Sequence, residues 1–386
     1  MHICASNIYK QWKSSGVCGG FMVADGRRVA VACQGGGSHT AFTAGVLRRL
    51  LAEDDVEIVG LSGASGGAVC ALLVHYGLLT GGREVAGELL RGFWEANSVG
   101  GGPGAFFNYA AVQAQRVEAS VGVTPAMDPY LVPERAREGL SRLLEEQVDF
   151  GRLMAVAGGS PRLFVGAVEV LSGEERAFDS DDGEITLEAV LASCAVPSLF
   201  RAVRVGEGLY WDGLFSQNPP LRGLPETGCD EIWVVQIDPK SREVEPRNSA
   251  EILDRRNQLA ANLSLEQEVS SIETINRLVE RGSIVGDRYR RIPVRRIPLE
   301  RNLDSASKTD RDRGFILGLL DEGERAAEAF LEGLEEAGPG APSVSEKPRE
   351  KIRAKPELGG WVAAFVETVV QRVLGVFGGS KSGGAG

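Results

Sequence analysis

The feature that most restricts the fold is a glycine-rich turn between an apolar strand and a helix. Val56 to Leu61 is rich in β-branched and aliphatic residues, which predicts a buried strand. The sequence Gly-Ala-Ser-Gly-Gly follows at positions 63–67, and an apolar helical segment runs from Ser65 to Leu79. A G-x-S-x-G turn in this position is typical of a nucleophile elbow, which lifts a serine hydroxyl to the end of a sheet. The sequence therefore predicts a reactive Ser65 in an α/β fold.

Strand and helix patterns alternate over residues 28–337, which predicts an α/β domain with a mainly parallel sheet. The predicted strands are residues 28–33, 56–61, 163–170 and 231–237, and the predicted helices are residues 40–51, 65–79, 187–195, 250–281 and 310–337. Residues 97–133 are rich in glycine, proline and aromatic residues and show weak periodicity. We expect this segment to form a lid or a pocket wall, with a plain surface excursion as the alternative.

Composition excludes several classes of protein. Of 386 residues, 43% are hydrophobic and 25% are charged, as in a soluble globular protein. No apolar run approaches the roughly 20 residues of a membrane-spanning helix, and the amino terminus lacks the apolar segment of a secretory signal, so we expect a cytoplasmic protein. The net charge of −11 argues against general affinity for nucleic acid or anionic membrane, so any lipid contact must be local. Six scattered cysteines favour buried free thiols over disulfides or a zinc site.

A serine nucleophile needs a neighbouring base, and histidine is the usual one. The chain has three histidines, at positions 2, 39 and 75. An α/β-hydrolase places its histidine after the serine, but His75 lies about 15 Å along the same helix from Ser65, at about 1.5 Å per residue, and cannot reach it. His39 remains a candidate base. The alternative is a carboxylate, for which Asp212 in the sequence Asp212-Gly213 is the candidate.

Four motifs follow one another in order along the chain. Gly35-Gly36-Gly37 comes after the first strand, the G-x-S-x-G turn comes next, residues 192–200 read A-S-C-A-V-P-S-L-F, and Asp212-Gly213 is last. In this order and context the motifs resemble those of the patatin-like phospholipase family, whose third motif is A-S-x-A-x-P-x-x-F. The resemblance covers about residues 28–335.

The resemblance implies a three-layer α/β/α fold and a Ser-Asp dyad, with Ser65 as nucleophile and Asp212 as base. It also implies that Gly35, Gly36 and Gly37 supply the backbone N–H groups of an oxyanion hole, a role that suits glycine beside a helix N-terminus. An aspartate with an ordinary pKa of about 3.9 is a weak base, so the dyad requires a desolvated pocket. No metal or organic cofactor is implied.

The chain departs from the family at one point. The family pattern continues G-G-G-x-Arg/Lys-Gly, whereas His39 stands here at the cationic position and Thr40 at the glycine. A neutral His39 attracts an anion less, which weakens the case for a phosphate-bearing substrate. His39 is a candidate hydrogen-bond donor, base or purely structural residue, and these roles stay open. His39 and Gly66 are also candidate substrate-binding residues.

The chain divides into five predicted regions. These are an N-terminal extension (1–27), the catalytic domain (28–337), a linker (338–360), an amphipathic helix (361–378) and a disordered tail (379–386). Residues 347–377 combine basic residues with the amphipathic helix, which fits peripheral contact with an anionic lipid surface; the six arginines of residues 288–301 fit the same interpretation. The alternative is a helix packed in a groove or at an oligomer interface, and the oligomeric state is left open.

Two functions of different class follow from the sequence. The first is a serine acyl hydrolase that cleaves carboxylic esters of phospholipids or related acyl lipids through an acyl-enzyme on Ser65. The alternative is a non-catalytic lipid-binding or scaffold protein that retains the patatin-like fold. The lost cation at position 39 and the amphipathic tail favour this alternative.

Overall fold

Strands and helices alternate along the chain, as the sequence predicts. The computed structural model describes residues 26–121, 130, 135–156, 158–197, 199–284, 286 and 289–337. Its strands are β1 (Arg27–Cys33), β2 (Val56–Gly63), β3 (Arg162–Glu169), β4 (Glu175–Asp179), β5 (Val203–Val205), β6 (Gly208–Asp212), β7 (Glu231–Gln236) and β8 (Val294–Pro298). Its α-helices are α1 (Ala41–Leu51), α2 (Gly66–Thr80), α3 (Gly82–Asn97), α4 (Gly102–Val121), α5 (Arg135–Gln147), α6 (Phe150–Ala155), α7 (Leu187–Ser193), α8 (Ser249–Glu280) and α9 (Arg313–Ala337).

The strands form one mixed sheet in which hydrogen-bonded neighbours follow the sequence β5-β6-β3-β2-β1-β7-β8, with β4 also paired to β3. The five strands from β3 to β8 in this order are parallel to one another. The pairs β3–β4, β3–β6 and β5–β6 are antiparallel. The predicted α/β fold with a mainly parallel central sheet is therefore confirmed.

The central strands are buried on both faces, which places the sheet between two layers of helices. Along β1, Val29 and Val31 pack with residues of α1, α2 and α9, whereas Ala30 and Ala32 pack on the opposite face with residues of α8. Successive side chains of a strand point to opposite faces, so a strand covered on both sides needs a continuous apolar run. This need explains why β1, β2 and β7 were recognisable in the sequence.

The pairing of β3 brings the ends of two distant strands together. Val165 pairs with Gly63 of β2 and with β4, and Ala167 pairs with Asp212 of β6 and also with β4. A strand has two hydrogen-bonding edges, and β4 occupies one edge of β3 at both positions. β2 and β6 therefore both lie along the other edge of β3. The carboxyl ends of β2 and β6 therefore meet along β3, two residues apart.

One segment of weak sequence periodicity contains a regular helix. Within residues 97–133, α4 forms a continuous helix, and its Asn108 donates to the carboxylate of Asp310 at 2.7 Å. Phe106 and Phe107 are exposed on the same helix. The glycines at the start of α4 obscured its helical periodicity in the sequence, although its later residues are mostly alanine, glutamine and valine. Its role as lid or pocket wall stays a prediction.

A second expectation, that the arginines of residues 288–301 present a basic surface, is wrong for most of them. Arg291, Arg295, Arg296 and Arg301 form ion pairs with Glu280, Glu231, Glu266 and Glu322. Arg290 donates to the carbonyl of Cys229 at 2.7 Å. These cations therefore neutralise carboxylates of the same domain.

The remaining regional predictions fall outside the described residues. This holds for residues 1–25 of the predicted extension and for the predicted linker, amphipathic helix and tail at 338–386. Among the described residues, no helix has the length and apolar character to cross a membrane.

Candidate active site

Ser65 occupies a strained turn between β2 and α2. Its φ of 54° and ψ of −134° make it the one non-glycine residue with positive φ in the part of the chain that the structure describes. The turn is tight, since a Cβ on Gly63 would lie 2.5 Å from the backbone nitrogen of Ala68. A strained backbone of this kind persists only when its surroundings hold it, and it is common at functional sites. The predicted elbow is therefore present in the structure.

The third motif holds the backbone of the site at two points. The backbone N–H of Ser65 donates to the carbonyl oxygen of Ser193 at 3.1 Å and to its hydroxyl at 3.0 Å. The backbone N–H of Asp212 donates to the carbonyl of Ala195 at 3.0 Å. The segment after α7 therefore fixes both Ser65 and Asp212, which gives a physical reason for its A-S-x-A sequence.

The glycine run packs directly against the elbow. A Cβ on Gly35 would lie 2.8 Å from the carbonyl oxygen of Ala64 and 2.9 Å from the Cβ of Ser65, so only glycine fits there. A Cβ on Gly66 would lie 3.0 Å from the carbonyl oxygen of Gly37 and would also overlap the hydroxyl of Thr40. The structure therefore brings the two glycine motifs into contact around Ser65.

The backbone N–H groups of the glycine run are not equivalent. The N–H of Gly35 donates to Oδ1 of Asn218 at 2.8 Å in a buried position. In the described part of the chain the N–H groups of Gly36 and Gly37 have no hydrogen-bond acceptor. Gly66 opens α2, where backbone N–H groups lack intrahelical acceptors. Gly36, Gly37 and Gly66 are thus the groups that could donate to a developing oxyanion.

Asp212 ends β6 and is fully buried. Burial raises the pKa of Asp212 to about 7, although the N–H of Leu214, the Ser65 hydroxyl and the charge of Lys308 each lower it. Oδ1 accepts from the N–H of Leu214 at 2.8 Å, whereas Oδ2 has no hydrogen-bond partner among the described residues. Hydrogen bonding from the Ser65 hydroxyl is one of the causes that lower the pKa of Asp212, so the two side chains lie close together. Oδ2 has no partner at an ordinary hydrogen-bond distance among the described residues, and catalytic hydrogen bonds are often long in an unliganded site and shorten when substrate binds.

The hydrogen-bond partner of the His39 side chain is Ser307, not Ser65 or Asp212. Its Nε2 lies 2.8 Å from the hydroxyl of Ser307, whose proton goes to the carbonyl of Asp304, so Nε2 is the donor in the pair. The ring also contacts Phe315 edge to face. Burial and the charge of Lys308 lower the pKa of His39 to about 3, so the ring is neutral at physiological pH. The geometry favours the structural role among the three that the sequence leaves open.

His75 is also held far from the elbow. Its Nδ1 lies 2.7 Å from the carbonyl of Pro161, and burial lowers its pKa to about 4. This position agrees with the argument that a residue ten positions along the helix cannot serve Ser65.

A buried polar network lies behind the glycine run and was not predicted from the sequence. The side chain of Gln34 accepts from the N–H groups of Ile237 and Asp238, each at 2.8 Å, and donates to Asn262 at 2.9 Å. The carboxylate of Asp238 accepts from Lys308 at 2.8 and 3.0 Å. A polar residue between a buried strand and a glycine run was the available signal for Gln34.

No metal site is evident within the described ranges, where no three His, Cys, Asp or Glu side chains are grouped as ligands. Cys33, Cys70, Cys194 and Cys229 are buried free thiols, as predicted. The absence of a cofactor stays a prediction.

Comparison with known proteins adds a sequence-level match. A family model described as patatin-like phospholipase matches residues 31–225, which is half of the chain and includes all four motifs. No curated protein matches the chain.

Solved structures give weaker likenesses. VipD from Legionella pneumophila matches at 15% identity with a TM-score of 0.39, over 80% of this chain and 67% of that one. The type III effector protein ExoU matches at 14% identity with a TM-score of 0.31, over 79% and 53% of the two chains. The complex of ExoU with SpcU from Pseudomonas aeruginosa matches at 15% identity with a TM-score of 0.32, over 81% and 52%. The chain spans about half the length of the two ExoU chains.

Proposed function

The chain belongs to the patatin-like phospholipase family of lipid ester hydrolases, and on this premise we propose that it cleaves carboxylic esters of acyl lipids with Ser65 as nucleophile and Asp212 as general base. The observation that best supports the proposal is the state of Asp212. A buried carboxyl with a pKa of about 7 beside a strained serine is matched to proton transfer near neutral pH. An aspartate in water would be too weak a base.

In the proposed first half-reaction, the acyl group of the ester is transferred to Ser65. Oγ of Ser65 attacks the ester carbonyl carbon while its proton passes to Asp212. The negative charge that develops on the carbonyl oxygen is stabilised by backbone N–H groups of Gly36, Gly37 and Gly66. When the tetrahedral intermediate collapses, the C–O bond to the leaving alcohol breaks and Asp212 returns the proton to that alcohol. The product is an acyl-enzyme on Ser65.

Deacylation repeats the same steps with water. Asp212 takes a proton from a water molecule, whose oxygen attacks the acyl carbonyl, and the same N–H groups stabilise the second oxyanion. Collapse releases the fatty acid and returns the proton to Oγ of Ser65. Asp212 thus acts as base and acid in turn, for which a pKa near the working pH is favourable.

Two alternatives have less support. A non-catalytic scaffold would have no use for a positive φ at Ser65 or for a buried carboxyl oxygen without a partner, and both features cost stability. A histidine-assisted serine would need His39 beside Ser65, whereas His39 donates to Ser307. The lipid-surface contact proposed for residues 347–377 is compatible with the acyl-lipid substrate.

The proposal is tested with Ser65→Ala and Asp212→Asn on a p-nitrophenyl acyl ester. We expect each variant to lose at least about 10³-fold in kcat, since each removes the nucleophile or its base. The exposed serine variant Ser270→Ala serves as the matched control and should keep full activity. Intact-mass spectrometry after treatment with a fluorophosphonate should show one adduct in the wild type and in Ser270→Ala, and none in Ser65→Ala.

Full ester hydrolysis by Ser65→Ala, or equal labelling of that variant, would overturn the proposal. A panel of phospholipids, lysophospholipids and neutral glycerides then identifies the preferred head group and acyl chain for the active wild type.

A further inference from the structure

Asn218 lies beside the glycine run without any role in the proposed chemistry. It follows β6 in the turn after Asp212, and its side chain is fully buried. Its Oδ1 accepts the N–H of Gly35 at 2.8 Å, across 183 positions of sequence. Gly35 in turn packs on the Cβ of Ser65. Gly35 therefore lies between the Asn218 carboxamide and the proposed nucleophile, Ser65.

The orientation of this carboxamide is set from the side of α8. Its Nδ2 donates to the carbonyl of Ala261 at 3.4 Å, so Oδ1 must face Gly35. The backbone N–H of Asn218 donates to the hydroxyl of Ser264 at 3.2 Å, which ties the same residue to α8 a second time. Asn218 thus connects α8 to the glycine run and presents one acceptor in a fixed direction.

We infer that Asn218 is a positioning residue for the oxyanion hole, an inference that rests on the proposed function. Its acceptor binds the N–H of Gly35 and thereby fixes the peptide plane from which the run continues to Gly36 and Gly37. Among the described residues, the N–H groups of Gly36 and Gly37 have no acceptor and are available to the oxyanion. Gly35, with its N–H already bound, orients the hole rather than donating to it.

The hydrogen bonds of the neighbouring Gln34 explain why one further hydrogen bond, from Gly35 to Asn218, is sufficient to fix the start of the glycine run. Its side chain is bound on both sides, to the N–H groups of Ile237 and Asp238 and to Asn262, so the residue before the glycines is fixed. Three consecutive glycines have more conformational freedom than any other tripeptide. The bond from Gly35 to Asn218 removes that freedom at the first of them.

The test compares Asn218→Leu with wild type on the soluble ester. Leucine has the same branching as asparagine but is larger and has no acceptor, so we expect kcat to fall about 100-fold, as when an oxyanion donor is lost, and KM to stay within about threefold. Ser264→Ala is the matched control, because it removes the neighbouring bond without touching the carboxamide. It should stay within about threefold of wild type in kcat.

A second variant, Asn218→Asp, distinguishes positioning from packing. A buried carboxyl is protonated at acid pH, where it offers a carbonyl oxygen to Gly35 and an O–H to Ala261, as asparagine does. When this carboxyl ionises it loses the O–H, and its charge is repelled by the carbonyl of Ala261, so the side chain no longer holds Gly35 in the same direction. We therefore expect the ratio of its kcat/KM to that of wild type to be highest near pH 5 and to fall as the pH rises. A packing role would give a ratio independent of pH.

Wild-type kcat in folded Asn218→Leu, or a raised KM with unchanged kcat, would overturn the inference. If Asn218→Leu does not fold, a pH-independent activity ratio for Asn218→Asp does the same. The Ser65→Ala result separates the two proposals, because an active Ser65→Ala rejects the proposed function, whereas an inactive Ser65→Ala with a fully active Asn218→Leu rejects only this inference.

Discussion

At the scale of single residues, the site depends on a carboxyl that is costly to bury. Asp212 has no cation in hydrogen-bonding contact, and its pKa of about 7 is well above the ordinary value of 3.8. The folded state therefore binds a proton more tightly than the unfolded state, so this residue reduces stability as the pH rises from about 4 to about 7. In the proposed mechanism, the same shift suits Asp212 to the role of general base.

The pH dependence of hydrolysis should report this carboxyl. Asp212 can accept a proton only when ionised, so kcat/KM on the soluble ester is expected to rise with pH around a midpoint of about 7 and to be roughly tenfold lower at pH 6 than at pH 8. His39→Gln should leave the midpoint unchanged, because the pKa of His39 is about 3. A midpoint near 4, or one that His39→Gln removes, would contradict the assignment.

Parts of the site could be predicted from the sequence because their constraints are local. The elbow requires small residues on both sides of Ser65, and residues 63–67 meet this requirement within five consecutive positions. The hydrogen bond between Gly35 and Asn218 could not be predicted from the local sequence, because an asparagine before two prolines is equally consistent with an ordinary turn. The neutral state of His39 depends on burial against Ser307 and Phe315, which no spacing reveals.

At the scale of secondary-structure elements, α1 and α9 approach closely over the sheet. A Cβ on Gly45 would overlap the carbonyl of Leu320, and a Cβ on Gly323 would overlap the carbonyl of Phe42, so glycine on each helix permits backbone contact with the other. Arg48 and Arg49 of α1 form ion pairs with Glu324 and Glu328 of α9 beside this crossing. The pairs are partly exposed and contribute little, so close packing is the main source of stability.

Two alanine variants of α9 should therefore have opposite effects. Gly323→Ala is expected to destabilise the protein by about 1–3 kcal/mol, because the added methyl group forces the helices apart. Gly318→Ala is the matched control on the same helix, where a Cβ meets nothing within 4 Å, and it should stabilise by about 0.5–1 kcal/mol through helix propensity. Thermal unfolding measures both. Equal effects would refute the close approach.

The elements themselves were predictable to different degrees. Strands buried on both faces, such as β1 and β7, were found within a residue of their ends. By contrast β8 contains Arg295, which is buried only because Glu231 accepts from it at 2.8 and 3.0 Å, and a hydrophobic pattern cannot anticipate such a pair. β5 and β6 are too short and mixed to show periodicity. The start of α4 is rich in glycine, so its sequence shows little helical periodicity.

At the scale of the whole molecule, net charge and its placement bear on lipid contact. The chain has a net charge of −11, and the arginines at 291, 295, 296 and 301 are paired with glutamates. These arginines are therefore unavailable to attract an anionic lipid surface. The proposal of such contact then depends on the basic residues between 347 and 355 and on the amphipathic pattern of residues 361–378, which lie outside the described residues.

Deletion of residues 339–386 should separate catalysis from surface contact. We expect the shortened protein to hydrolyse the soluble ester at the wild-type rate and to co-sediment less with vesicles that contain anionic lipid. Vesicles of zwitterionic lipid alone are the control and should bind both proteins weakly, because the attraction of basic residues is electrostatic. An unchanged sedimentation profile on anionic vesicles would contradict the proposed contact.

The common edge of β3 has a consequence for the order of events during synthesis. Ser65 and its neighbouring glycines are synthesised early, whereas Asp212 follows only after 146 further residues. β6 must then pair with the part of the β3 edge that β2 leaves unpaired. A slip of β6 by one position would turn its side chains to the opposite face. Under the proposed mechanism, a nascent or truncated chain that ends before β6 would have its nucleophile but no proton acceptor, and it would not hydrolyse esters until β6 had paired with β3.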